Sequence, residues 1–161
     1  MTTLPDWRFL IQHPAHLLAL GFGSGLARFM PGTFGTLVAF PFFYGMLLLP
    51  SALHLPLIAL LFLIGIPICG KTSRALGVED HGGIVWDEIV AMLLVLEYIP
   101  AAWEWWLAAF LLFRLYDMWK PFPIRMCDIR MKGGFGVMFD DLLAAVYTLL
   151  TLYAWQWLTT R

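Results

Sequence analysis

The chain has 161 residues, 61% hydrophobic and 13% charged, with a mean hydropathy of +0.79. Soluble domains average about 45–50% apolar and about 25% charged residues, so an ordinary water-exposed globule is excluded. Ten Lys and Arg against eleven Asp and Glu give a net charge of −1, which leaves no electrostatic footprint for nucleic acid.

No linker, repeat or low-complexity stretch divides the sequence, so residues 1–161 are expected to form one domain. The first twenty residues hold Pro5, Asp6 and Pro14 and lack an apolar core ending in a small-residue cleavage site. That is not the pattern of a signal peptide, and targeting falls to the first spanning helices. Apolar runs cover residues 33–49, 53–70, 84–99, 101–113 and 137–158. Spanning a bilayer takes about 20 residues, so the third and fourth runs must be tilted, shielded by neighbours or partly inserted. The expected fold is all-α, an integral membrane helical bundle with four or five membrane helices. Tyr98, Trp103, Trp105, Trp106, Trp155 and Trp157 cluster at the ends of these runs, as an interfacial aromatic belt requires. Cys69 and Cys127 are too few and too ill-placed for a disulfide framework and are read as reduced thiols.

Cations set the expected orientation, because Lys and Arg beside helix ends stay on the cytoplasmic side. With the N-terminus inside and five crossings, Arg8, Arg28, Lys71, Arg74, Arg114, Lys120, Arg125, Arg130 and Lys132 all lie inside, and only Arg161 lies outside. The same arrangement places every polar motif below on the cytoplasmic face.

The first motif is GFGSG at 21–25, followed by PGTFGT at 31–36. Glycine-rich backbone can turn its N–H groups toward an anion, and a helix starting near Thr33 would add its dipole and a hydroxyl. The same spelling also describes a plain turn with Thr33 as N-cap. The second is DHGGIVWDE at 80–88. Its adjacent Asp87 and Glu88 lead into an apolar run, where carboxylates are costly unless neutralised, metal-bound or facing a wet cavity. Complementing a helix N-terminus is the simpler alternative, and His81 is read as a turn residue. The third is FRLYDMWKPFPIR at 113–125, where Arg114, Asp117 and Lys120 share a helix stripe before Pro121 disfavours further helix. The fourth is GGFGVMFDD at 133–141, a glycine-rich turn delivering Asp140 and Asp141 to an apolar helix.

Together these blocks set Asp80, Asp87, Glu88, Asp117, Asp140 and Asp141 against Arg114, Lys120 and Arg125. Asp87, Glu88, Asp140 and Asp141, with Asp80 as a further candidate, form a hard oxygen donor set suited to Mg2+. Residues 65–72 spell G-x-x-x-x-G-K-[ST], but they end a long apolar run where a phosphate loop should follow a buried strand. A cysteine nucleophile would need arginine at 75 or 133, which are Ala75 and Gly133, and no D-x-D-x-[TV] motif occurs. Metal-assisted attack by water or by one of the acids remains.

In these four ordered blocks the chain resembles the phosphatidylglycerophosphatase A family of the bacterial inner membrane. The resemblance implies a Mg2+-dependent lipid phosphatase facing the cytoplasm. Its substrate would be phosphatidylglycerophosphate, whose terminal phosphomonoester is hydrolysed to phosphatidylglycerol and phosphate in phospholipid biosynthesis, with no obligate protein partner evident. On this reading Asp87, Glu88, Asp117 and Asp141 are candidates for the chemistry, and Thr33, Arg114, Lys120 and Arg125 for binding the phosphate. The alternatives are a phosphatase or phosphotransferase acting on another phospholipid, and a non-catalytic membrane scaffold.

Overall fold

A computed structural model describes residues 5–160, and among them it contains helices and turns and no strand. Asp6 caps α1 (Trp7–Gln12) by accepting from the Phe9 amide, and the His13 ring caps α2 (Pro14–Ala19) by accepting from the Ala15 amide. A 3-10 segment (Gly21–Leu26) leads to α3 (Pro31–Met46), which begins one residue after Met30 in a left-handed conformation. A short 3-10 turn (Ser51–Leu53) runs into α4 (His54–Leu76), which stops at Gly77, a left-handed cap that glycine adopts without steric cost. Then follow α5 (Trp86–Glu97), α6 (Trp103–Trp119), α7 (Ile124–Arg130) and α8 (Gly133–Thr159). All five apolar runs of the sequence are therefore helices, and the short α1, α2 and α7 are additional to them.

Pro41 and Pro67 lie inside α3 and α4 without ending them, as is tolerated where neighbouring helices shelter the freed carbonyl. Residues 65–72 lie wholly within α4, which disposes of the phosphate-loop spelling. Thr33 is the third residue of α3 rather than its cap: Pro31, with φ preset for helix and no N–H to satisfy, takes the first position.

The organising element is α5, in which ten of twelve residues are buried. It packs against α3, α4, α6 and α8, and α8 in turn packs against α4, α6 and α7. Close approach of α4 and α8 depends on Gly134, where any Cβ would overlap the Ile66 carbonyl oxygen; small residues serve the same purpose at membrane helix crossings. Two described helical segments are long and apolar enough to cross a bilayer, Ser51–Leu76 and Gly133–Thr159. At ~1.5 Å per residue each reaches about 40 Å.

Polar groups occupy the two ends of this core. At one end His54 of α4 binds Glu97 of α5 through Nδ1 at 2.8 Å and the Leu49 carbonyl through Nε2 at 3.2 Å. The opposite end gathers the start of α3, the 80–84 loop, the start of α5, the end of α6 and the early turns of α8 around one cavity. Both cysteines are free thiols.

Candidate active site

The cavity at that end measures about 380 Å3, and six carboxylates reach its wall: Asp80, Asp87, Glu88, Asp117, Asp140 and Asp141. Val85 anchors the loop before α5 by donating its amide to the Ala19 carbonyl at 2.9 Å. Asp87 and Glu88 follow in the first turn, and the Asp87 carboxylate accepts the Glu88 amide at 3.1 Å. Both side chains are buried, so they are not the exposed acids that merely complement a helix dipole. Asp141 reaches them from α8. Asp87, Glu88 and Asp141 each offer an oxygen, with all three oxygens within 4.8 Å of one another.

Two cations answer them. Arg114 binds Asp117 at 2.6 Å, one turn along α6, and reaches Glu88 Oε1 and Thr36 Oγ1 at 3.5 Å. It thereby ties α6 to α5 and α3. Lys120 caps α6 in a left-handed conformation and pairs with Asp140 of α8 and, at 3.1 Å, with Asp128 of α7. Burial opposes the Lys120 charge, but the two carboxylates outweigh it and hold its pKa above the ordinary lysine range. It is a protonated cation at any physiological pH.

Gly32 closes the wall on the α3 side. A Cβ at this position would lie 2.2 Å from Glu88 Oε1 and 3.0 Å from both terminal nitrogens of Arg114. The glycine of the PGTFGT block thus makes room for the ion pair.

Eight of the ten residues singled out from sequence line this cavity. The two exceptions have clear causes. Thr33 does not reach it: its hydroxyl is buried without a hydrogen-bond partner, while Thr36, one turn on, meets Arg114. Arg125 is exposed on α7 and lines a neighbouring groove, because the Pro121–Pro123 turn carries the chain away from the acids. The metal candidates also divide. Asp140 is held by Lys120 and Asp80 is more exposed, so neither belongs to the close trio. The GFGSG segment is not an anion cradle, since the Gly23 and Gly25 amides both donate to the Leu20 carbonyl. His81 is a turn residue whose Nδ1 accepts the Gly83 amide. Sequence reading included Thr36 only as the end of a phosphate-donating turn, not as a partner of Arg114, and passed over Asp128, whose only signal was a lone acid in a basic segment.

The trio suits a divalent cation on its own chemistry. Its donors are all carboxylate oxygens, the preference of hard ions, and Glu88 Oε2 is buried with no hydrogen-bond partner. Six carboxylates against two cations would also repel a phosphate unless positive charge were supplied.

The sequence profile of phosphatidylglycerophosphatase A matches residues 17–156. The chain is 49% identical to phosphatidylglycerophosphatase A of Haemophilus influenzae over 157 residues, covering 95% of both chains. With the Escherichia coli K12 protein of the same name it is 46% identical over 147 residues, covering 91% of this chain and 86% of that one. A Bacteroides thetaiotaomicron protein provisionally named a phosphatidylinositol-3-phosphatase is 38% identical over 149 residues, covering 88% of this chain and 92% of that one. No solved structure matches. With nearly nine-tenths of its length matched by the profile and its acid cavity built from the matched segment, the chain belongs to the phosphatidylglycerophosphatase A family.

Proposed function

We propose that this chain is a multi-pass membrane enzyme, one domain over residues 1–161, that hydrolyses the terminal phosphomonoester of phosphatidylglycerophosphate with Mg2+ as cofactor. The observation that carries the reading is the buried Asp87, Glu88 and Asp141 trio, in which Glu88 turns Oε1 toward Arg114 and leaves Oε2 unpartnered. Mg2+ bound there would neutralise the acids and polarise the phosphoryl oxygens. Arg114, braced by Asp117, presents fixed N–H donors to the phosphoryl group, and Lys120 adds a second positive charge on the cavity wall. Water supplies the attacking oxygen and gives a proton to a cavity carboxylate. The phosphorus–oxygen bond to glycerol breaks, and the departing alkoxide takes up that proton from the carboxyl group, leaving phosphatidylglycerol and phosphate.

Membrane placement rests on the surface of the bundle. Leu107, Leu111 and Leu115 form an exposed stripe on α6, and Leu60, Leu63 and Ile64 face outward on α4; such continuous apolar faces suit lipid. We read α3, α4, α6 and α8 as lipid-facing crossings, with α5, about 18 Å long, sheltered within them. The cavity end carries Lys71, Arg74, Lys120, Arg125, Arg130 and Lys132, whereas the 47–53 and 98–102 turns at the other end hold no Lys or Arg. This asymmetry supports a cavity that faces the cytoplasm of a bacterial inner membrane.

The test is phosphate release from phosphatidylglycerophosphate by purified protein, with Mg2+ and with EDTA. Activity should vanish in EDTA and return with Mg2+, and Glu88→Gln should abolish turnover in folded protein. Turnover unaffected by EDTA, or Glu88→Gln activity within a few-fold of wild type, would reject the trio as a metal centre.

A further inference from the structure

Beside the acid cavity lies a second groove of about 650 Å3, and Lys120 is a wall of both. Its chemistry is the opposite of the first. Arg125 and Arg130 of α7 line it, and among the described residues neither has an ion-pair or hydrogen-bond partner. Arg114 and Lys120, by contrast, are each matched to two carboxylates. The rim is apolar and open, with Trp119 68%, Phe122 78% and Ile129 60% exposed. An unpaired arginine pair framed by aromatic side chains suits an anionic group at a membrane surface, where the rings lie among headgroups and the guanidiniums meet phosphate.

Phosphatidylglycerophosphate carries two phosphates, a terminal monoester and a diester that joins the glycerol to diacylglycerol. We infer that the Arg125–Arg130 groove is a second anion subsite, which holds the lipid phosphodiester while the acid cavity holds the monoester. This rests on the phosphatase reading above and assigns the groove a task the acids cannot perform. A substrate bridging the two sites across Lys120 would be held at both ends of its glycerol. Selection for a two-phosphate lipid then follows from geometry, because a lipid with only one phosphate fills only one site. The sequence had grouped Arg125 with the scissile phosphate; its place in the fold moves it to the other one.

The two products separate the subsites. Phosphatidylglycerol has only the diester, and inorganic phosphate resembles only the monoester. Inhibition constants for both are measured against phosphatidylglycerophosphate hydrolysis in neutral detergent micelles with Mg2+, for wild type, Arg125→Ala/Arg130→Ala and Arg125→Lys/Arg130→Lys. For the alanine pair the phosphatidylglycerol constant should rise about tenfold or more, as expected on losing charged hydrogen bonds. Its phosphate constant should stay within about twofold of wild type, and the lysine pair should recover part of the loss because charge is kept. Thermal unfolding of each variant reports the fold separately. The inference is overturned if phosphatidylglycerol does not inhibit wild type, if both constants rise together, or if neither changes. It is also overturned if the loss appears only in anionic vesicles, which would make the arginines a surface anchor. If wild type releases no phosphate from phosphatidylglycerophosphate, the phosphatase reading itself fails.

Discussion

Replacing Gly32 by alanine should cripple activity in a protein that still folds. The added Cβ would lie 2.2 Å from Glu88 Oε1 and 3.0 Å from both Arg114 terminal nitrogens. Carbon–oxygen contacts settle at about 3.3–3.6 Å, so the Glu88 carboxylate must retreat by about 1 Å, or Arg114 must turn away with it. Displacements of about 1 Å among positioning groups cost on the order of 10²-fold in rate, which corresponds to about 2.7 kcal/mol of barrier. The backbone itself tolerates alanine, since Gly32 is the second residue of α3 and is not among the positive-φ glycines, so the stability cost is that of crowding a packed site, about 1–3 kcal/mol. The expected variant therefore folds, with its thermal midpoint lowered by the crowding, while its kcat falls about a hundredfold. Steady-state kinetics with saturating Mg2+, beside thermal unfolding in the same detergent, measures both. A kcat within about threefold of wild type would refute the placement of the Glu88–Arg114 pair in the reacting centre.

Lys120→Ala strips the buried Asp140 of its cation and should destabilise the protein by about 3–5 kcal/mol, with much of the loss recovered when Asp140→Asn is added; thermal midpoints of the single and double variants check this. Thr33→Val removes a buried hydroxyl that bonds to nothing, so kcat should be unchanged and stability equal or higher. A large drop in activity would return Thr33 to the site. A cysteine at exposed Gly82, where a side chain meets open space, should resist an impermeant periplasmic reagent in intact cells in a Cys127→Ser background. Labelling there would invert the orientation proposed for the cavity.

What could be read in advance was whatever carried a contrast. Acids inside apolar runs stand out, and Asp87, Glu88, Asp140 and Asp141 were visible for that reason. How they would divide was not visible. Asp140 and Asp141 are neighbours on a helix, so their side chains diverge by about 100°; one meets Lys120 and the other joins Asp87 and Glu88. No property of the dipeptide says which. Thr33 and Thr36 differ by less than a full turn, and the choice between them was decided by the left-handed Met30 and by Pro31 taking the first helical position. Arg125 was grouped with the acid cavity but lines the neighbouring groove, because the direction of a chain leaving Pro121 and Pro123 is set by how α7 docks on α8. The five long helices announced themselves through hydropathy, whereas α1, α2 and α7, at six or seven residues each, are held by caps and tertiary contact.

The interior position of α5 has a consequence for how the protein is made. With twelve residues and two acids in its first turn, it is a poor candidate for stable residence in lipid by itself. Its shelter includes α8, which leaves the ribosome well after α5, and Asp141 arrives with that same helix. Until α8 docks, Asp87 and Glu88 lack both their third carboxylate and one wall of their enclosure. The acid trio is therefore assembled only when α8 docks on α5, well after the segment that carries Asp87 and Glu88 has been made.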